Sequence, residues 1–473
     1  MSGRGSVIVA GGGISGLSVA YWLRRWGVEV CVLEREMVPG GTMQTVQDGG
    51  WLVETGPTSA LETTPLLGRM FEGLGIAGER MYANPAADKR YILRGGRLHP
   101  LPMGPLAFLL SGLWSAGGKA RLMKEPFIGR AAGEETVARF VERRLGREFL
   151  DYAINPFVAG VYAGNPEELS VRAAFPKLYA LEEKYGGLFR GLIGGARERK
   201  RRAEKAKDRA RMFSFGRGMQ VFPLAIGKEL AQRFCGGSTV LGVRPAARTG
   251  EGGEFTVTVS QSGGNTDLTA DAVVLSVPSY CAAPIVRPQF PALADMMEGV
   301  WYPPVAEVFL GYRSEQIPGD LDGFGYLVPE KEHRKILGTI WSSSLFPHRA
   351  PPGHAALTTF VGGSRQPEIL DRDDAGLNAL VQAELTGVMG VRGDPVYSRV
   401  TRWKRAIPQY VLGYERFTLA LDGAERDMPG LFFCGNYRGG IAVGDCIVNG
   451  EKIAARVAAH LGKPSRRDEE AVD

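Results

Sequence analysis

SVIVAGGGISGLSVAYWLRRWGVEVCVLE, residues 6–34, is the stretch whose reading decides the fold. Residues 6–10 are a short β-branched run, and Gly11-Gly12-Gly13-Ile14-Ser15-Gly16 fits G-x-G-x-x-G. Residues 17–26 read as a helix, and residues 28–33 are a second apolar run ending at Glu34. Each part has a mechanical task. Gly11 permits the tight turn off the strand, Gly13 lets a pyrophosphate approach the backbone, and Gly16 lets the helix lie against the sheet. The helix N-terminus faces the phosphate charge. Glu34 stands where an acid accepts hydrogen bonds from a ribose. With 65 glycines in the chain, a lone G-x-G-x-x-G says little. Strand, glycines, helix, strand and acid in that order predict a dinucleotide-binding unit.

A chain of 473 residues exceeds one ordinary domain, so two or three packed units are expected. Its 44% hydrophobic and 23% charged content is that of a globular protein. The net charge of +6 is too mild to imply nucleic-acid binding. Five scattered cysteines form no C-x-x-C, and five histidines show no ligand spacing. Buried thiols in a reducing compartment are expected, with no disulfide and no metal site. Residues 1–5 precede the first strand without an apolar signal segment. No run reaches the ~18 to 20 apolar residues that span a bilayer. The cytoplasm is the expected location.

Beyond Glu34 come Arg35, a turn at Pro39-Gly40-Gly41, a strand at residues 51–54, and Gly56-Pro57-Thr58-Ser59. Two further glycine turns so soon suit backbone lying close to an extended cofactor, or two plain hairpins. Residues 91–93 and 97–99 flank Gly95-Gly96 as a β-hairpin, with Arg90, Arg94 and Arg97 alternating among apolar residues. Residues 101–117 are apolar but broken by Pro and Gly, with Lys119, Arg121 and Lys124 following. They suit either a buried helical unit or a membrane-interface segment. Residues 134–153 continue in helical period. Residues 197–211 hold nine basic and three acidic residues, a solvated helix or loop. Then come a helix at 221–234, strands at 238–243, 255–260 and 272–277, and further strands over 302–408. An apolar strand, a glycine turn and a helix over about 447–461 close the chain.

One βαβ unit serves FAD or NAD(P). No second strand–GxGxxG–helix exists, and the disulfide relay of pyridine-nucleotide reductases is absent, which favours FAD. The chain resembles the protoporphyrinogen/coproporphyrinogen III oxidase family of the flavin amine oxidase superfamily. The residues that carry the resemblance run almost end to end: GGGISGL, the GPTS turn, Asp88-Lys89-Arg90-Tyr91-Ile92, FVAGVYAGNP at 157–166, GFGYLVP at 323–329, LGTIWSSSLFPHRAP at 337–351, TTFVGG at 358–363, IPQY at 407–410 and GNYRGGIAVGDCI at 435–447.

That resemblance implies an α/β (α+β) fold. It has a discontinuous FAD-binding Rossmann-like domain (1–81, 212–296 and 426–473), a mixed-sheet substrate-binding domain (82–98 and 297–425) and a small helical subdomain (99–211). It implies six-electron oxidation of coproporphyrinogen III, protoporphyrinogen IX or both, with molecular oxygen as acceptor and hydrogen peroxide released. Arg90 matches an arginine that holds a propionate of the macrocycle. Leu327 and Ile340 match aliphatic walls on one side of the tetrapyrrole, Phe360 an aromatic on the other, and Gly164 a turn bordering it. Gly11, Gly12, Gly13, Ile14, Ser15, Gly16, Glu34, Arg35, Gly41, Gly56, Pro57, Thr58, Ser59, Val243, Trp403, Ile441, Ala442 and Val443 match cofactor contacts. Thr42 and Thr58 depart from many relatives, which touches one cofactor contact and the flavin–substrate boundary. No side chain is assigned as catalytic, since the flavin carries the chemistry and no His or carboxylate stands out in the pocket. Arg94 or Arg97 near the rim would favour the substrate with four propionates. Amine oxidation or carotenoid desaturation on the same scaffold, a non-catalytic flavin-stabilised scaffold, peripheral membrane contact and a homodimer stay open.

Overall fold

The computed structural model describes residues 5–194, 210–246 and 254–464. The basic run expected over 197–211 therefore lies almost wholly outside the described residues. Its first layer is a five-stranded parallel sheet, in the order Phe234–Cys235, Glu29–Leu33, Ser6–Ala10, Ala272–Leu275, Leu431–Phe433. These strands read as unbroken apolar runs because both faces are covered. Val7, Val9, Val30 and Val32 pack on one side with Leu17 and Val19 of helix Ile14–Arg25 and Ile453 and Val457 of helix Val443–His460. Ile8, Ala10, Cys31 and Leu33 pack on the other side with Val243, Val257 and Val259. Those last belong to a three-stranded antiparallel sheet, Thr239–Pro245, Phe255–Gln261 and Gly264–Ala270. Its strand Gly264–Ala270 is absent from the expectation. It is an edge strand, mostly exposed and polar, so it shows no apolar alternation.

The second layer is a seven-stranded mixed sheet. Its order is Tyr397–Trp403, Val305–Arg313, His354–Gly362, Gly338–Trp341, Gly323–Leu327, Lys89–Arg94, Arg97–Pro100. The last two strands are the hairpin expected at Gly95-Gly96. One face is closed by helix Asp374–Met389, whose Leu377, Val381 and Leu385 pack on Ala306, Val308, Leu310 and Tyr312. The opposite face is turned toward the glycine loops of the first unit.

Short helices fill residues 105–194. The helical period expected over 134–153 breaks at Gly146, whose φ of 97° ends helix Val137–Leu145. A wider turn, Leu150–Ile154, then leads into helix Asn155–Tyr162. At the centre of this region Arg144 is fully buried between Glu125 at 3.0 Å and Glu182 at 2.6 Å. Glu125 in turn accepts the backbone N–H of Leu188 at 2.7 Å and of Phe189 at 3.1 Å, which starts helix Leu188–Gly194. Among the described residues, no helix is long and apolar enough to cross a membrane.

Candidate active site

The glycine loop has one deliberately open position. Gly11 adopts φ +109°, and a Cβ there would sit 2.7 Å from Ser276 O. At Gly16 a Cβ would sit 2.1 Å from Gly11 O, so both are needed for the chain to fold back on itself. At Gly13 a Cβ would meet nothing within 4 Å. Packing therefore does not explain Gly13; a group approaching its backbone does. Helix Ile14–Arg25, with Ser15 and Gly16 in its first turn, carries no acidic side chain there and leaves its N-terminus to an anion. Glu34 reaches back to accept Gly12 N–H at 2.5 Å and takes Glu36 N–H at 2.9 Å. The loop thus fits a dinucleotide pyrophosphate with an acid at its ribose end.

The other expected cofactor residues divide into those gathered at this loop and those set apart from it. Gly40 donates to Gly12 O at 2.9 Å, and Gly41 lies against Gly13. Gly56 presses on Thr42, where a Cβ would sit 2.1 Å from Thr42 O. The backbone of Thr42, the departing residue, is therefore part of the packing under the turn Gly56-Pro57-Thr58-Ser59. Trp403 donates its indole N–H to Thr55 O at 2.6 Å, tying the second sheet to that turn. Helix Val443–His460 meets the first helix where Ser18 Oγ donates to Ile447 O at 3.1 Å. Its start packs Gly444 on Thr63, a few residues past that turn, and Val443 shares a cluster with Ala60, while Ile441 packs in the other cluster. Arg35 instead points outward and pairs with Glu36 at 3.1 Å. Val243 is buried in the antiparallel sheet, and its side chain is not among the residues around the glycines.

Three buried polar groups support this turn, and none of them is among the residues singled out from the sequence. Glu54 ends an apolar strand and accepts from Thr45 Oγ1 at 2.7 Å and Met219 N at 2.9 Å. Arg349 lies 3.3 Å from Glu54, donates to Thr58 O, and reaches Ser214 Oγ at 3.1 Å. Burial pushes the Glu54 carboxyl up and the Arg349 guanidinium down, while their mutual attraction opposes both shifts. Arg349 falls within the LGTIWSSSLFPHRAP motif, but its partner 295 positions away is invisible locally. The third group is Glu307, a lone carboxyl in the otherwise apolar strand VAEVFLGYR.

Register determines what faces the turn. Leu327 pairs with Gly338, Gly338 with Phe360, Phe360 with Glu307, and Glu307 with Thr401. In the adjacent row Arg90 pairs with Gly325, Gly325 with Ile340, Ile340 with Thr358, and Thr358 with Phe309. Residues directly paired point to one face. Leu327, Ile340, Phe360 and Arg90 therefore all rise from the face opposite the covering helix. Leu327 and Phe360 stand two strands apart, about 10 Å at the usual strand spacing, with only Gly338 between them. Leu327 leans across Gly338, where a Cβ would sit 3.1 Å from its Cδ2, and Gly160 of helix Asn155–Tyr162 lies against the same side chain, so these residues form one apolar surface. Arg90 is exposed at its edge, 6.0 Å from the Phe324 ring.

Gly164 follows the end of the helix that packs on this surface. Ala163 O accepts Ser364 N–H at 2.7 Å, and Ala159 and Ala163 pack with Phe360. A Cβ on Gly164 would sit 2.3 Å from Gln409 Oε1. The IPQY motif acts here as a tie. Gln409 donates to Tyr162 O at 2.8 Å, while the Tyr410 hydroxyl donates to Asn436 O at 2.5 Å and accepts Gly440 N–H at 3.2 Å. One expectation fails: Arg94 is no rim cation. It pairs with Glu148 at 2.8 Å, donates to Leu113 O and stacks on Tyr152 at 4.2 Å, so it fastens the hairpin to the helices. Arg97, paired with Arg94 at the hairpin turn, is exposed beyond it.

Comparison with known proteins shows the family. The family model of flavin containing amine oxidoreductases matches residues 14–458. Protoporphyrinogen oxidase 2, chloroplastic/mitochondrial, of Arabidopsis thaliana is 31% identical, with 96% of this chain and 94% of that protein covered. Coproporphyrinogen III oxidase of Bacillus subtilis is 26% identical over 97% of this chain and 99% of its own length. A crystal structure from Exiguobacterium sp. 255-15, provisionally assigned as a protoporphyrinogen oxidase, superposes with a TM-score of 0.79 at 22% identity. It covers 98% of this chain and 100% of its own, and at that identity it speaks for the fold.

Proposed function

The chain belongs to the flavin containing amine oxidoreductase family, and from that premise we propose that it is an FAD-dependent oxidase converting a porphyrinogen to the porphyrin in haem biosynthesis. Near full-length similarity to protoporphyrinogen and coproporphyrinogen III oxidases supports the reaction class. The observation that carries the site is the sheet face on which Leu327, Ile340 and Phe360 stand together, with Arg90 exposed at its edge. A large ring with an apolar body and carboxylate edges needs that combination. Leu327, Ile340 and Phe360 hold the ring by area, and Gly164 borders it. Arg90, permanently charged and forked, receives one propionate.

Of the described residues, those within 1–81, 212–296 and 426–473 form the dinucleotide unit, those within 82–98 and 297–425 the ring unit, and those within 99–211 the helical unit beside them. The bound flavin supplies a two-electron acceptor, so a six-electron oxidation takes three passes, with oxygen as the final acceptor. The chain's own contribution is orientation and exclusion of water. Pyrrole N–H groups of the substrate release protons without a strong base. With Arg94 engaged elsewhere, the structure offers one free rim cation on the strand Lys89–Arg94, and this supports an enzyme that accepts both porphyrinogens. Each is mixed with the flavin-loaded protein in air, and porphyrin fluorescence is followed against the spontaneous rate. Turnover of neither rejects the reaction class; turnover of one alone fixes the substrate.

The helical region also carries an exposed apolar patch: Met103, Leu106, Leu109, Leu110, Met123 and Phe127. Lys124 is exposed beside it. Six large apolar side chains on adjacent short segments suit peripheral attachment to a bilayer surface. Sedimentation with vesicles of mixed zwitterionic and anionic phospholipid tests this. Leu110→Ser with Phe127→Ser should release the protein, and unchanged sedimentation would reject the patch as the contact.

A further inference from the structure

The strand Val305–Arg313 buries a carboxyl that packing does not require. Ala306, Val308, Leu310 and Tyr312 point beneath the covering helix, while Glu307 rises on the opposite face directly beside Phe360. It is 6% exposed. Among the described residues it has no ion pair, and its Oε2 has no hydrogen-bond partner. The charged groups around it are accounted for. Glu54 has Arg349, and the Arg349 guanidinium is spent on Glu54, Thr58 O and Ser214. Arg399, one row along the neighbouring strand, bonds to Tyr397. The Trp403 indole, whose N–H donates to Thr55 O at 2.6 Å at the flavin turn, is the polar neighbour that faces the Glu307 carboxyl.

An unpaired buried carboxylate is among the costliest groups a fold can hold, so the acid stays protonated. Burial first, and the Glu54 charge second, push its titration well above the usual carboxylate range. A neutral acid here has one consequence for chemistry. A hydride added to a flavin brings negative charge, and a carboxylate beside the ring would oppose it.

We propose that Glu307 is a positioning residue of the flavin site: as a neutral acid it holds Trp403 against the turn 56–59 and keeps negative charge away from the hydride-accepting ring. The proposal rests on the flavin reading above. Glu307→Gln preserves the shape and the acceptor for Trp403 but cannot ionise. Glu307→Leu fills the space and offers Trp403 nothing.

The test measures FAD affinity by flavin fluorescence and the flavin midpoint potential as a function of pH, on wild type and both variants. Glu307→Gln should bind FAD like wild type, and Glu307→Leu at least tenfold more weakly. Potentials of wild type and Glu307→Gln should coincide in acid and neutral solution. They should separate at alkaline pH, with wild type falling to the more negative value as Glu307 ionises. Parallel potentials across the whole range, or wild-type affinity in Glu307→Leu, would overturn the role and leave the flavin reading intact. If wild type itself binds no FAD, the flavin reading fails first. A Glu307→Leu protein that does not fold still leaves the Glu307→Gln potential curve to decide.

Discussion

Replacing Gly13 and Gly16 by alanine, one at a time, separates two reasons for a glycine in the same loop. At Gly16 the new methyl would lie 2.1 Å from Gly11 O, a backbone atom that cannot swing aside. Gly16→Ala should therefore destabilise the flavin-free protein by about 2–3 kcal/mol, the scale of overpacking at a fixed site. At Gly13 the methyl meets nothing within 4 Å, and the backbone there, φ −71° and ψ 170°, suits any residue. A few tenths of a kcal/mol are lost at a helix N-cap and a similar amount regained from the unfolded chain. Gly13→Ala should leave flavin-free stability within about 0.5 kcal/mol of wild type. Its cost appears only when a phosphate approaches. Displacing the charge-assisted hydrogen bonds from these N–H groups costs roughly 1.5–3 kcal/mol each. Affinity for FAD should then fall at least about tenfold, at 1.4 kcal/mol per decade. Urea unfolding of the flavin-free proteins and fluorescence titration with FAD give both numbers. Wild-type FAD affinity in Gly13→Ala would refute the inference that the open side of Gly13 receives the pyrophosphate.

Three other outcomes are expected. Arg90→Ala should raise KM roughly tenfold or more through loss of a forked charged contact while kcat and Tm hold, since Arg90 is exposed; an unchanged KM removes Arg90 from the site. Arg144→Met should lower urea stability by about 3–5 kcal/mol, because Glu125 and Glu182 keep buried charge without their cation; a loss below about 1 kcal/mol would mean the helical region is held by its apolar contacts alone. Glu307 gives stability a pH slope of known sign. Its folded titration is raised, so its contribution is complete below the unfolded carboxylate value and is lost as pH rises toward the folded one. Urea midpoints of wild type should therefore fall relative to Glu307→Gln from about pH 5 upward, by up to about 1.4 kcal/mol per unit; parallel curves would show Glu307 already ionised.

How much of this was legible in the sequence depends on the range of the interaction. The parallel strands at Ser6–Ala10, Glu29–Leu33 and Ala272–Leu275 show as continuous apolar runs, since burial on two faces writes itself into every residue. The hairpin at Gly95-Gly96 is equally local. Helix ends are less so: residues 231–234, expected as helix, form a short turn and enter the edge strand Phe234–Cys235, because the parallel sheet offers Val32 and Leu33 as partners. The substrate face was only half visible. Leu327, Ile340 and Phe360 were carried over by resemblance as two opposing walls. All three rise from one sheet face, brought together by the register of three strands. No periodicity reveals a register between strands that far apart in the chain. Arg94 shows the same limit, since its direction is set by Glu148, a residue of a different unit. Glu307 could have been found: a single carboxyl inside a nine-residue apolar strand is a visible anomaly.

The most direct measurement is an anaerobic titration of the flavin-loaded protein with a porphyrinogen, following flavin absorbance and porphyrin together. Two electrons per flavin and six per ring require that three flavins bleach for every porphyrin formed, with absorbance restored by admitting air. A flavin that stays oxidised with both coproporphyrinogen III and protoporphyrinogen IX, or that an amine or a polyene bleaches in their place, would contradict porphyrinogen oxidation by this chain.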